Sequence, residues 1–301
     1  MINDLPEIVR ESTCLLFADD LKLSLQIKDE LDHIKLQDDI NRILKWSRDN
    51  KLYFNIDKCF VTSFSRSRYP QHYTYHLDNQ PLQRVNKIKD LGVRFNADCN
   101  FREHIVDICK KSYRNLGFVM RQVKNFTNIN AIRVLYEALV RSHLEYNAII
   151  WAPREAKYKL MLERIQNRFV RFIYLKLYKV YPGYPLLYPT LFILGMVGYN
   201  KLETRRDVLL VIYLWKILRG MVSHPALLER IGLWVPDGRA TRRRRQQLLV
   251  IPRARTNLRR DTPFTVALRN LNELSHRIDL FDCSLNEFKI RVVIVCSSNS
   301  N

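Results

Sequence analysis

The amino-acid sequence predicts an α+β fold in which strands come first and helices follow. Apolar and polar residues alternate within residues 14–25 and again within 73–95, and a period of two is typical of half-buried strands. After residue 100 the apolar residues recur every three or four positions, which is the period of an amphipathic helix. We therefore expect an antiparallel sheet covered by a helix, followed by a long, basic helical region.

The first predicted element is a tight hairpin with two aspartates at its tip. An apolar run, residues 14–17, leads into Asp19 and Asp20, and leucines then alternate with polar residues. Paired carboxylates on a rigid element suit Mg²⁺, and a two-metal site would stabilise the attacking and leaving oxygens of a phosphoryl transfer. Adjacent aspartates are also common in ordinary solvated turns, and the dipeptide alone favours that simpler interpretation.

A helix over residues 29–48 should cover this hairpin, with Asp29 as its N-cap. A strand over residues 59–64 follows, and Lys58 precedes it, where an ordinary exposed lysine is the simplest expectation. The face of the helix expected to point inward consists of Leu36, Ile40, Ile43 and Leu44.

A small antiparallel sheet is predicted over residues 73–95, with a turn at Asp78 and Asn79. We place Gly92 in the middle of one of its strands. A glycine there either lets another backbone approach closely or marks a bulge, and the residues alone leave both alternatives open.

Three amphipathic helices are predicted over residues 101–124, 129–147 and 155–178. Their polar faces carry cations that could contact phosphates, although a charged stripe is usually only a solvated face. These cations are Lys110, Lys111, Arg114 and Arg121 on the first helix, and Arg164, Arg168 and Arg171 on the third. The residues expected to point inward include Tyr113 on the first helix, Leu139 on the second, and Leu162, Ile165, Phe169 and Ile173 on the third.

The positive charge is confined to one part of the chain. Residues 1–100 hold 15 basic and 15 acidic residues, whereas residues 101–301 hold 35 basic and 15 acidic, which accounts for the whole net charge of +20. A field of this size favours polyanions. Nucleic acid is the expected partner, and an anionic membrane is the second candidate on charge alone.

An arginine-rich segment lies near the end of the chain. Residues 239–260 hold nine arginines with few apolar neighbours, which predicts a loop or a partly disordered arm. Such an arm could bind nucleic acid or act as a nuclear address. Four of these arginines are consecutive: Arg242, Arg243, Arg244 and Arg245.

The cysteines and the apolar runs indicate an intracellular protein, cytoplasmic or nuclear and not secreted. Six cysteines are scattered without a CxxC pair, as is typical of a reducing compartment. The first residues lack the apolar region of a signal peptide, and we expect no association with a membrane. Cys99, His104 and Cys109 could hold a metal, but a fourth ligand is not evident, and packing on a helix is the simpler interpretation.

Several blocks, taken in order, resemble the reverse transcriptases of jockey-like non-LTR retrotransposons. Phe17-Ala18-Asp19-Asp20 resembles motif C, and Ile2-Asn3-Asp4-Leu5-Pro6 resembles the segment before it. Residues 46–59 are similar to motif D. Residues 90–95 with 101–105 are similar to motif E and the start of the thumb, and residues 136–151 to a thumb helix. The similarity thins after Trp151.

The resemblance implies RNA-templated DNA synthesis from deoxynucleotides with Mg²⁺. Asp19 and Asp20 would bind the metal, Lys58 would give a proton to the leaving pyrophosphate, and Gly92 would lie in the element that grips the primer. Residues 1–98 would form part of a palm, residues 99–152 a helical thumb, and residues 153–301 a basic helical region.

The chain also departs from the family. The fingers, the motif A strand with a third metal-binding aspartate, and the motif B loop have no counterpart among its residues. We therefore expect a truncated or remnant polymerase that binds RNA and DNA but is inactive alone. The alternative is a basic nucleic-acid-binding protein that carries out no chemistry.

Overall fold

A computed structural model describes residues 2–65, 67, 72–182, 189–235 and 247–298. The described part is 55% helical with small sheets, which agrees with the predicted α+β class. The chain divides into two compact units, Met1–Asn100 and Phe101–Asn301. The predicted boundary after residue 98 lies close to this division, whereas the boundary after residue 152 falls inside the second unit.

The first unit is built around the predicted hairpin. After helix α1 (Leu5–Ile8), strands β1 (Thr13–Phe17) and β2 (Asp20–Ser24) pair antiparallel, and Phe17 lies opposite Asp20. One face of the hairpin packs on Leu5, Ile43 and Trp46 through Cys14, Leu16, Leu21 and Leu23.

Helix α2 (Glu30–Asp49) lies against this face, and the Asp29 carboxylate caps it by accepting a hydrogen bond from Asp32 N at 3.1 Å. The predicted inward face was only partly right. Ile43 is buried, but Leu36, Ile40 and Leu44 are half-buried. The buried stripe is rotated because polar side chains also point inward, namely Asp32, His33, Asp39 and Ser47.

The remaining strands are shorter than predicted and form three separate two-stranded sheets. The strand expected over residues 59–64 is reduced to β3 (Phe60–Val61), which pairs in parallel with β6 (Gln83–Arg84). Between them in sequence, β4 (His76–Leu77) and β5 (Gln80–Pro81) form a hairpin with the predicted turn at residues 78–79. The last hairpin joins β7 (Lys87–Asp90) to β8 (Val93–Asn96).

Gly92 does not lie within a strand, and this prediction was wrong. Leu91 and Gly92 form the turn between β7 and β8, with φ of 43° and 84°. A two-residue hairpin turn with positive φ at both central positions matches the twist of the strands, and glycine adopts it at the least cost.

The second unit is helical. It contains α3 (Arg102–Gln122), α4 (Ile129–Tyr136), α5 (Ser142–Glu145), α6 (Ala148–Trp151), α7 (Ala156–Tyr178), α8 (Thr190–Val197) and α9 (Leu202–Leu218). Then follow α10 (Pro225–Leu228), α11 (Asn257–Arg260), α12 (Pro263–Ser275) and α13 (Leu285–Ser298). Among the described helices, none has the length and the apolar character that a bilayer crossing requires.

Two aromatic pairs mark the core of this unit. Tyr136 stacks on Phe169 with ring centroids 3.8 Å apart, so the predicted thumb and the region after it share one core. Trp215 stacks on Phe288, which joins α9 to α13. The four residues predicted to point inward from α7, namely Leu162, Ile165, Phe169 and Ile173, are all fully buried, which confirms that face.

The helix predicted over residues 129–147 is observed from Ile129 to Glu145, but it is not α-helical throughout. A π-helical turn, Glu137–Arg141, separates α4 from α5, and α5 ends at Glu145. Because a π turn holds more residues than an α turn, it rotates the side chains that follow. Leu139, which was expected to point inward, is exposed as a result.

Candidate functional site

Asp19 and Asp20 stand at the tip of the first hairpin, as predicted. Ala18, with φ of 52°, and Asp19 form its turn, and Asp20 begins β2. Both aspartates are exposed, and no hydrogen bond or ion pair engages either carboxylate among the described residues. The tip therefore presents two carboxylates that no cation of the described part neutralises.

The Gly92 turn lies beside this tip. Lys22, two residues past Asp20, forms an ion pair with Asp90 at 2.5 Å, and Asp90 directly precedes the Leu91–Gly92 turn. The ion pair therefore brings together two hairpin turns that lie about 70 residues apart in sequence.

Lys58 ends a short 3₁₀ turn, Ile56–Lys58, and is exposed. Phe54, four residues earlier, packs against the cluster that holds the Asp19–Asp20 hairpin, so this turn is attached to the same core. In the described part, no hydrogen bond or ion pair joins Lys58 to either aspartate.

The two aspartates fit the chemistry of Mg²⁺, which proteins often bind through one or two carboxylates completed by water and phosphate. Asp19 and Asp20 would hold the ion, which when bound would neutralise charge on phosphate oxygens. The described residues contain no group of three or more metal-ligating side chains, so no further carboxylate of the described part joins the pair.

Asp39 fixes the start of β1, and sequence reasoning missed it. Its side chain is fully buried and accepts hydrogen bonds from the backbone of Arg10, Glu11 and Ser12 at 3.1, 3.0 and 2.7 Å. Burial raises the pKa of Asp39, but these donors outweigh it and hold the pKa below its ordinary value of 3.8. The sequence could have indicated this, because Asp39 stands one helical turn before Ile43 and therefore on the side of α2 that was expected to point inward.

The predicted cations of α3 and α7 lie on a pair of parallel, adjacent helices. At their first ends, Arg102 donates to Glu155 at 3.0 Å. At their last ends, the Lys176 ammonium contacts the carbonyl oxygens of Lys124 and Phe126. A residue of α3 therefore lies at the same height along the helix pair as the residue of α7 that follows it by about 53 positions.

The exposed side of this pair, which we call the α3–α7 face, carries most of the predicted cations. Spacings of three, four and seven residues place them along one side of each helix. Lys110, Arg114, Arg121, Arg164 and Arg168 are exposed, and Arg171 is half-buried and donates to Pro182 O at 2.9 Å.

Lys111 is exposed but points toward a different side of α3. Burial lowers the pKa of His143, on α5, and the charge of Lys111 adds to this effect, so Lys111 lies near α5 rather than α7. Of the seven predicted cations on these helices, the structure brings six together and leaves Lys111 at their border.

Two aromatic rings of α3 are exposed on opposite sides of its row of cations: Tyr113 lies toward α7, whereas Phe118, seven residues after Lys111, lies on the Lys111 side. Tyr113 was expected to point inward but is 38% exposed, and Phe118 is 51% exposed. Burial raises the pKa of the Tyr113 phenol, and the charges of Arg164 and Arg168 oppose this rise, so both guanidinium groups lie near it. The sequence could have indicated the exposure of Phe118, because the residues three and four positions away from it on the helix are all polar.

The four consecutive arginines, Arg242–Arg245, lie outside the described residues. The flanks of that segment are described: Trp234 N donates to Leu248 O at 2.8 Å, and Leu233 pairs with Leu249. Residues 233–234 and 248–249 therefore lie side by side.

The metal alternative around His104 has no support in the structure. His104 and Cys109 are both buried on α3, and the His104 ring meets Trp151 edge-on at 5.3 Å. Burial raises the pKa of the Cys109 thiol to about 11, which disfavours the thiolate that metals bind. Packing on the helix was the correct interpretation.

Comparisons with protein-family models, curated proteins and solved structures return no match for this chain.

Proposed function

We propose that this chain carries the motif C to thumb part of a reverse transcriptase of the jockey-like non-LTR retrotransposon type. On this proposal it binds RNA or DNA through the second unit and does not synthesise DNA with its own residues alone. The α3–α7 face is the observation that carries the binding part of the proposal.

The spacing of the cations on this face supports contact with a phosphate backbone. At 1.5 Å per residue, Lys110 to Arg121 span about 17 Å and Arg164 to Arg171 about 10 Å. Adjacent helix axes lie roughly 8–10 Å apart, so the six cations form two neighbouring rows. Rows of cations spaced along an axis fit a polyanion better than a compact anion.

The first unit supports the origin of the chain in a polymerase. Its exposed carboxylate pair stands on a two-stranded hairpin, and the Lys22–Asp90 ion pair holds the Gly92 turn beside it. The resemblance assigns metal binding to the first turn and the primer grip to the second. Both would have to lie near one primer end.

The binding proposal is tested by titrating a labelled oligonucleotide with two variants of equal charge. Arg164→Ala/Arg168→Ala removes two cations from the α3–α7 face. Arg277→Ala/Arg291→Ala removes two exposed cations of the same unit elsewhere. We expect about a tenfold or larger loss of affinity for the first pair and little change for the second. Equal losses would show that only net charge matters and would overturn the assignment.

The second candidate is a nucleic-acid-binding protein without chemistry, favoured by the absence of a third ligand beside Asp19 and Asp20 in the described part. Mg²⁺-dependent binding of a deoxynucleotide that Asp19→Ala abolishes would favour the polymerase origin, because backbone binding does not need Asp19. In a primer-extension assay with an RNA template and Mg²⁺ we expect no product. Extension abolished by Asp19→Ala would contradict this.

A further inference from the structure

Strand β1 forms one edge of the first hairpin, and this edge has no partner strand in the described part of the chain. β1 and β2 make a two-stranded sheet by themselves. Because Phe17 and Asp20 close a two-residue turn, they exchange backbone hydrogen bonds, and bonded pairs then alternate with non-bonded pairs along the ladder. The backbone N–H and C=O groups of Cys14 and Leu16 therefore point away from β2. Among the described residues, none forms a hydrogen bond with these groups.

This edge also lacks the features that normally keep a strand edge from pairing. Charged side chains, prolines and bulges serve that purpose in exposed edge strands. β1 contains none of them, because its five residues are Thr-Cys-Leu-Leu-Phe and each is paired with one residue of β2. Its outward face presents Leu15 and Phe17, which are 55% and 62% exposed. An uncharged, apolar strand with free backbone groups is a surface for the addition of another strand.

We infer that β1 pairs antiparallel with β1 of a second copy of this chain. The register follows from the free groups, because Cys14 of one copy must face Leu16 of the other to exchange hydrogen bonds. The same two-fold arrangement places Leu15 opposite Leu15 of the second copy, and Phe17 opposite Thr13. All five residues of each β1 are then paired. The product is a four-stranded sheet, which is more stable than an isolated two-stranded hairpin.

Charge favours this edge over the opposite one. The free groups of β2 belong to Leu21 and Leu23, and the same arrangement there would set Lys22 opposite Lys22 of the second copy. Like charges directly opposite each other destabilise a strand pair. At the β1 edge the opposed residues are uncharged. Residues 1–100 hold 15 basic and 15 acidic residues, so the first unit brings no net charge to the contact.

The expected dimer is weak and forms at high protein concentration. A strand of five residues is about 17 Å long, so the contact is smaller than the roughly 800 Å² per partner of a standard stable interface. Past the strands, the exposed Arg10 and Glu11 come level with the Asp19–Asp20 tip of the other copy, where attraction and repulsion offset each other. Backbone hydrogen bonds and the side chains of Leu15 and Phe17 therefore carry the association.

The first test is sedimentation equilibrium of the whole chain after nuclease treatment. We expect the apparent mass to rise from monomer toward dimer as the protein concentration approaches roughly 100 μM. Leu15→Lys sets like charges opposite each other and should weaken the association about tenfold. Leu31→Lys, at a similarly exposed apolar position of the same unit, should leave it unchanged. A chain that stays monomeric over the whole concentration range would overturn the inference.

Disulfide formation tests the register. Residues of a non-bonded antiparallel pair have Cα atoms about 4.5 Å apart, which lies within the range that disulfides span. Leu15→Cys, in a Cys59→Ser/Cys99→Ser background, should therefore give several-fold more disulfide-linked dimer on mild oxidation than the background chain. Phe17→Cys in the same background should not, because the two copies of residue 17 lie four residues apart along the sheet, about 14 Å.

The outcomes separate this inference from the proposed function. Equal crosslinking of Leu15→Cys and Phe17→Cys would show contact without this register and would overturn it, as would a monomer that pairs only with an added extended peptide. At low protein concentration, Leu15→Lys should bind an oligonucleotide as wild type does, because the α3–α7 face lies in the second unit. The dimer can therefore fail while nucleic-acid binding stands, and the reverse.

Discussion

The two units of this chain differ in charge and in what holds each of them together. The first has equal numbers of acidic and basic residues, and its described residues form only two-stranded sheets, fixed by a buried aspartate and a small apolar cluster. The second carries the whole excess of +20 and a large aromatic and aliphatic core. On the proposed function, metal binding belongs to the first unit and affinity for nucleic acid to the second, and the larger core of the second unit gives it the greater stability.

The largest expected effect tests where the stability lies. Phe169→Ala removes a fully buried ring that stacks on Tyr136 and should lower the free energy of unfolding of the second unit by about 3–5 kcal/mol. Phe17→Ala is the same chemical change in the first unit, where the ring is 62% exposed. It should change the free energy of unfolding of that unit by no more than about 0.5 kcal/mol. Urea unfolding followed by circular dichroism measures both, and similar costs would break the comparison.

Salt should weaken binding strongly, because the proposed contacts are ionic. If about six phosphates of a single strand are neutralised, raising salt from 50 to 200 mM should lower affinity by roughly 300-fold. Fluorescence anisotropy at several salt concentrations gives the slope. The control is Asp19→Ala/Asp20→Ala, made in the charge-balanced first unit, which should leave the slope of affinity against salt unchanged. An affinity that does not change with salt would contradict the ionic contacts proposed here.

Asp39→Asn tests the polar support of the first unit. The amide cannot accept all the hydrogen bonds that the carboxylate takes from residues 10–12, so we expect a loss of about 2 kcal/mol at pH 7. Because the pKa of Asp39 is lowered on folding, its ionised form stabilises the unit above the ordinary value of 3.8. That advantage falls away as the pH drops below this value.

The matched control is Asp38→Asn, at the exposed neighbouring position. Unfolding of both variants at pH 7 and near pH 3 gives the comparison. We expect the difference in the free energy of unfolding between wild type and Asp39→Asn to shrink near pH 3. If that difference is the same at both pH values, the strength of the hydrogen bonds does not depend on the negative charge of Asp39.

The smallest effect concerns the helix that carries the face. Gly117 lies in the interior of α3, where an alanine is intrinsically better by about 0.5–1 kcal/mol. A Cβ there would meet only the Arg121 Nη1 atom, at 3.4 Å, which is an ordinary contact with the end of a long side chain. Gly117→Ala should therefore raise the melting temperature slightly, and a lower value would show a packing constraint at this position.

The sequence predicted those features that depend on local pattern. The hairpin, the N-cap at Asp29 and the buried stripe of α7 follow from alternation, capping chemistry and helical period. The exposure of Tyr113 did not follow, because it depends on how α7 lies beside α3. The Gly92 turn was misplaced since alternation continues across a two-residue turn, and the role of Asp39 depends on a backbone segment 27 to 29 residues away.

The candidate sites divide in the same way. Asp19 and Asp20 could be placed at a hairpin tip from sequence, and the cations of α3 and α7 could be placed on helix faces. That the two helices run parallel and merge their faces could not be predicted, because it depends on contacts such as Arg102 to Glu155, 53 residues apart.

The most direct test of the account is a photo-crosslinking experiment on the whole chain. A single-stranded oligonucleotide containing 4-thiouridine is bound, irradiated and digested, and the crosslinked peptides are identified by mass spectrometry. We expect crosslinks within residues 110–121 and 164–178, on α3 and α7. Crosslinks concentrated in residues 13–25, with none on α3 or α7, would contradict it.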